Sequence, residues 1–165
     1  DEDLPSFTDY AMKGRTYRYM EKEALYPFGY GLSYTRFAFK DAALSAQTAG
    51  PDGVDLSVTV RNEGSRAGIE TVQVYVKAER PGTPNAQLKG LAKVDLAPGE
   101  ERRVTLHLPL EALALCNEEG VCEVLPGDYT LWVGGSQPDA RSITLAGQAP
   151  LRLALRQVEK VVMDD

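Results

Sequence analysis

Tyr26-Pro27-Phe28-Gly29-Tyr30-Gly31-Leu32-Ser33-Tyr34-Thr35 marks the point where this chain changes character. Up to Leu32 the sequence is rich in tyrosine, charge and turn formers, with no sustained apolar period. Lys13, Arg15, Arg18 and Lys22 alternate there with Tyr17, Tyr19 and Met20, and aliphatic side chains are too few to build a core. Residues 1–32 are therefore expected to form an extended arm that lies on something else or is poorly ordered without it. The decapeptide concentrates aromatic rings around two glycines. Gly29 and Gly31 would let the backbone approach a neighbour closely, while Phe28, Tyr30 and Tyr34 fill pockets and the tyrosines keep a hydroxyl for an edge hydrogen bond. Two readings of these rings stand side by side: they cap the core of the domain that follows, or they face another domain.

From Ser33 onward, short apolar runs alternate at period two between turn signals. Strands are predicted over 34–39, 54–60, 69–76, 88–96, 104–108, 129–133 and 141–145, with one helical turn over 110–115. Asn62-Glu63-Gly64, Pro81-Gly82, Pro98-Gly99 and Pro126-Gly127 punctuate them. Gly64 and Gly68 are expected to take positive φ around a tight reversal, and Gly99 and Gly127 to follow proline in turns. No helix separates the strands convincingly, so the pattern predicts an all-β fold. It would be an immunoglobulin-like or fibronectin type III-like antiparallel β-sandwich with an extended N-terminal arm. Residues 33–147 would be the sandwich and 148–165 a C-terminal tail. In that tail Leu151, Leu153 and Leu155 alternate like a strand, whereas Leu151, Leu155, Val158 and Val162 also fit helical spacing.

Composition narrows the function classes. A net charge of -6 argues against a nucleic-acid partner, which would call for a basic surface. No run approaches the roughly 18 to 20 apolar residues of a membrane-spanning helix. At 165 residues one domain with a real core is expected. The first residue is Asp1 and no leader pattern follows it, so the chain reads as an excised or processed segment.

Several phrases, taken in order, resemble one family. Lys13-Gly14-Arg15-Thr16-Tyr17-Arg18-Tyr19 with Leu25 through Tyr34 looks like the connector into the C-terminal domain of family 3 glycoside hydrolases. That family includes β-glucosidases and β-xylosidases. Val58-Thr59-Val60-Arg61-Asn62-Glu63-Gly64 through Gly68 is similar to its second strand and turn, and Glu70 through Val76 to the strand after it. Leu88 through Val94 with Leu96-Ala97-Pro98-Gly99-Glu100 resembles the next strand and turn. Pro126-Gly127-Asp128-Tyr129 with Val133-Gly134-Gly135-Ser136 resembles the last hairpin. The resemblance covers residues 10–145 approximately and implies a fibronectin type III-like module that braces upstream catalytic domains and shapes the pocket rim. In that family both catalytic carboxylates lie upstream, so the resemblance carries no catalytic residue onto this chain. It implies interdomain contacts at Arg15, Tyr17, Tyr19, Tyr26, Phe28, Tyr30 and Tyr34. The family has both cytoplasmic and exported members.

The residues themselves offer little chemistry. A retaining glycosidase needs two carboxyl groups about 5 Å apart, whereas Asp52, Glu100, Glu101, Glu118, Glu119 and Asp128 fall in turns. The single histidine, His107, sits on the polar side of its strand, and one histidine does not make a zinc site. No metal or cofactor is implied. Cys116 and Cys122 could meet across a hairpin as a disulfide or remain two thiols. Trp132 lies on the less apolar side of its strand and is a candidate contact for a polysaccharide or oligosaccharide, or a packing partner for the arm. Exposed aromatics on the arm would also allow dimerisation.

Overall fold

The alternation read from the sequence builds two facing antiparallel sheets. The computed structural model describes Thr8 and residues 18–20, 22–117 and 120–163. In chain order the strands are β1 (Phe37–Leu44), β2 (Val54–Asn62), β3 (Gly68–Ala78), β4 (Gln87–Leu96), β5 (Glu101–Leu108), β6 (Leu115–Cys116), β7 (Cys122–Val124), β8 (Gly127–Gly134), β9 (Leu151–Gln157) and β10 (Val161–Val162). One sheet has the order β1-β2-β5 and the other β4-β3-β8-β9, while β10-β7-β6 form a small third one. Leu56, Val58 and Val60 from the first sheet join Val72, Val74, Leu131 and Val133 from the second in one buried cluster. Full burial of each such side chain contributes about 1.5–3 kcal/mol, and this is the chief force holding the sheets together.

Two polar residues fix the ends of these strands. The Tyr129 hydroxyl donates to the Leu125 carbonyl at 2.8 Å and accepts from the Leu125 N–H at 3.2 Å. This is the tyrosine-corner arrangement of immunoglobulin-type sandwiches. Asn62 is fully buried. Its amide donates to the carbonyls of Arg66 (2.7 Å) and Leu96 (3.0 Å), and its oxygen accepts from the Gly64 N–H and the Thr35 hydroxyl. A side chain with every group engaged can be buried without penalty, and here it ties the β2 end to β4 and to Thr35 ahead of β1.

The structure departs from the sequence expectations at four places. Residues 141–145 are not a strand but part of a helix, α1 (Ala140–Ala146). The Asp139 carboxylate caps it by accepting from the Ser142 N–H at 2.9 Å and from the Ser142 hydroxyl, and Gly147 ends it at φ 71°. Capping at both ends outweighs the β-branched character of Ile143 and Thr144. The last long strand is instead β9, which pairs with β8 from Leu151↔Val133 to Gln157↔Gly127. The sandwich thus takes in residues of the stretch 148–165 set apart as a tail. The first strand begins at Phe37 rather than Tyr34, because Thr35 is held by Asn62. Finally, Gly64 and Gly68 do not take positive φ. They are needed for space: a Cβ on Gly64 would overlap Thr35 Oγ1, and one on Gly68 would stand 2.8 Å from Thr35 Cγ2.

Candidate functional site

The outer face of β3 should meet solvent in a simple two-layer sandwich, yet Gln73 and Tyr75 on that face are buried. The arm covers them. It is anchored first where Asn85 N–H donates to the Arg18 carbonyl at 2.7 Å, the Asn85 amide donates to the Met20 carbonyl at 3.0 Å, and the Arg18 guanidinium donates to Gln87 Oε1 at 3.0 Å. Burial, with the Arg18 charge adding to it, lowers the pKa of Lys89 nearby. The arm then runs along β3 to Gly29, whose carbonyl accepts from Gln73 Nε2 at 2.8 Å. The same amide donates to the Gly135 carbonyl at 2.7 Å, and Gln73 Oε1 accepts from the Tyr75 hydroxyl at 2.7 Å. Gly29 has φ 77°, and a Cβ there would overlap Gln73 Oε1 and Tyr75 Oη. The close approach expected at Gly29 is thus present, whereas at Gly31 no atom lies within 4 Å of an added Cβ.

The arm's backbone is committed to its own sheet, but several of its large side chains turn away. Leu25 is 72% exposed, Tyr26 74%, Leu32 91% and Tyr34 93%. Phe28 is 41% exposed, and Tyr19 and Tyr30 are half-buried. Arg15 and Tyr17 lie outside the described residues. Trp132 is half-buried, opposite Tyr75 on β3 and Arg152 on β9.

Two hollows flank the arm. One, of about 630 Å³, brings Tyr26 and Phe28 together with Trp132, Lys77, Asn85 and Arg141. The other, of about 570 Å³, lies between Gly29–Ser33, the start of β3, Gly134–Ser136 and the segment 148–150. Glu70 lines this second hollow and is the only carboxylate to do so among the described residues. Burial raises its pKa, and the Thr71 N–H at 2.8 Å opposes that only in part. Neither Glu70 nor the Gln73–Tyr75 pair that holds Gly29 is singled out by the sequence. Gln73 and Tyr75 occupy outward positions of an ordinary alternation, and only the fit to Gly29 shows that something covers them. Cys116 and Cys122 face each other across the β6–β7 hairpin and are joined as a disulfide, remote in sequence from the arm.

A family model described as a fibronectin type III-like domain matches residues 70–137. The xylan 1,4-beta-xylosidase of Xylanibacter ruminicola is 38% identical over 143 residues, covering 84% of this chain and 16% of that protein. The periplasmic beta-glucosidase of Salmonella typhimurium is 40% identical over 124 residues, covering 72% of this chain and 16% of that protein. The solved beta-glucosidase of Kluyveromyces marxianus superimposes with a TM-score of 0.74 at 33% identity, over 88% of this chain and 17% of that one. Beta-glucosidase 3B of Thermotoga neapolitana gives 0.71 at 33% identity, over 87% and 19%. The chain is similar over most of its length to one part of these beta-glucosidases and beta-xylosidases, with the fibronectin type III-like match lying inside that part.

It spans about a sixth of the length of the curated relatives it matches. The likeness to the xylosidase covers 84% of this chain, more than the stretch 33–147 alone. Among the described residues no group of three or more His, Cys, Asp or Glu is placed to hold a metal, and no helix is long and apolar enough to cross a membrane.

Proposed function

We infer that this chain is a noncatalytic accessory module of a family 3 exo-acting, retaining β-glycosidase, a β-glucosidase or β-xylosidase. Residues 1–32 are its connector from the upstream catalytic domains, and the sandwich from 33 onward is the brace. One observation carries this reading: the arm is hydrogen-bonded to its own sheet while Leu25, Tyr26, Leu32 and Tyr34 stand in solvent. An arm pinned by its backbone holds such side chains in fixed places, and a row of exposed large apolar groups is the mark of a surface that another protein covers. The contacts proposed for Arg15, Tyr17, Tyr19, Tyr26, Phe28, Tyr30 and Tyr34 follow from that role. In keeping with that role, Glu70 is the one carboxylate among the described residues that lines the hollow, whereas a retaining mechanism uses two.

The test is association of the 165-residue chain with separately expressed upstream domains, followed by sedimentation. The wild-type chain is expected to bind, and Leu32→Ser with Tyr34→Ser to weaken binding by about tenfold or more without lowering the chain's own melting temperature. Equal binding by wild type and double variant contradicts the assignment. Self-association of the chain alone, lost in the same variant, is the dimeric outcome of the exposed row.

The 630 Å³ hollow supports a second reading, in which Tyr26, Phe28 and Trp132 hold an oligosaccharide or polysaccharide by stacking. Soluble xylan or β-glucan titrated into the chain should then bind, and Trp132→Ala should abolish it. No heat and no shift of indole fluorescence with either polymer removes this reading.

A further inference from the structure

The geometry points to the hollow beside Gly29–Ser33 as the socket for a basic side chain of the upstream domains, a guanidinium or ammonium, with Glu70 as the carboxylate that pairs with it. This rests on the accessory-module reading above. Glu70 stands half-buried in a hollow that Phe39 and Gly135 also line, and it accepts one hydrogen bond, from the Thr71 N–H. No cation of the described residues is bonded to it. Among the described residues the one basic side chain on the rim, Arg36, is turned to Glu63 at 3.4 Å. A carboxylate removed from water without a partner is unfavourable, so its place in a fold is explained when something else supplies the charge.

The charge on the walls favours a cation. A sugar hydroxyl needs donors as well as acceptors, but the side-chain amides lining this hollow are already committed. Gln73 gives its amide hydrogens to Gly29 and Gly135, and Gln148 exchanges bonds with the Phe39 backbone at 2.9 and 3.2 Å. Hydroxyls of Tyr30, Ser33, Thr71 and Ser136 also line this space of about 570 Å³, but among the described residues Glu70 is the one charge there with no ion-pair partner, and the space has room for an arginine or lysine side chain. Leu32 and Ile69, exposed by 91% and 62%, line the same hollow. Its mouth is therefore continuous with the apolar row proposed to face the upstream domains, and the basic side chain would be a polar anchor inside an apolar contact.

The experiment compares binding of the upstream domains by wild-type chain, Glu70→Gln and Glu70→Lys at low and moderate salt. Glu70→Gln is expected to raise Kd by about tenfold or more and to flatten its salt dependence, and Glu70→Lys to abolish binding. In the chain alone, Glu70→Gln should leave the melting temperature at neutral pH unchanged or raised, because it removes an unpaired charge. Glu123→Gln serves as control: that carboxylate pairs with Lys160 at 2.8 Å and lies outside the hollow, so Kd should not change. Wild-type affinity in Glu70→Gln overturns the socket while leaving the accessory module standing. A fall in the chain's own melting temperature that accounts for the lost affinity makes Glu70 structural and overturns it too. Failure of the wild-type chain to bind the upstream domains overturns both readings together.

Discussion

Gly29 combines a φ of 77° with side-chain atoms of Gln73 and Tyr75 where a Cβ would stand, so both backbone conformation and space require glycine. Gly29→Ala is expected to cost about 2 kcal/mol and to free the arm locally. Hydrogen exchange should show lost protection around Tyr30, whose N–H bonds the Pro27 carbonyl at 3.2 Å, with the sandwich core little changed. Close approach at Gly29 was legible from the aromatic-glycine run; the same expectation at Gly31 was not met, since spacing alone cannot tell which glycine touches the sheet. His107 lies on the surface, as its alternation predicts, and its Nδ1 meets Asp55 Oδ1 at 2.7 Å. Chiefly through that hydrogen bond its pKa is raised above 6.5. A raised folded-state pKa means the contact stabilises when the ring is protonated. The contribution is full below pH 6.5 and fades as pH rises through the folded value. Proton NMR titration of the single histidine should show Asp55→Asn lowering that pKa; an unchanged titration curve contradicts the pairing.

At the scale of elements, β2, β3, β4, β5 and β8 were readable because their core-facing positions are apolar at period two. Helix α1 was not, because Ile143, Thr144 and Leu145 look like a strand when counted by side chain. The deciding signals are Asp139 at one end and Gly147 at the other, which act on backbone groups rather than on the apolar pattern. In the tail the competing periods were settled by a free edge of β8, which β9 completes. The β6–β7 hairpin is two and three residues long and owes its definition to the disulfide between Cys116 and Cys122. Closing so short a loop constrains the unfolded chain by about 2 kcal/mol. Replacing both cysteines with serine should lower stability by up to that amount in urea unfolding, with the slope little altered. A loss well above it would mean that the hairpin organises more of the fold than its own turn.

For the whole molecule, the arm is the feature that links fold to role. A sandwich needs no cover on its outer face, yet Gln73 and Tyr75 are placed to hold one, and Leu32 at the end of that cover stands in solvent. The family likeness was legible because turn residues and strand patterns recur in order along the chain. The Glu70 hollow was not, because it is assembled from the arm, β3, Gly134–Ser136 and the segment before β9, which only folding brings together. The most direct measurement is release of p-nitrophenol from aryl β-glucoside and β-xyloside by the purified chain, with and without separately expressed upstream domains. The account predicts no release by the chain alone, and activity or thermal stability gained by the upstream domains on mixing. Robust hydrolysis by the 165 residues on their own would contradict it, since a catalytic carboxylate pair would then have to lie within this sandwich.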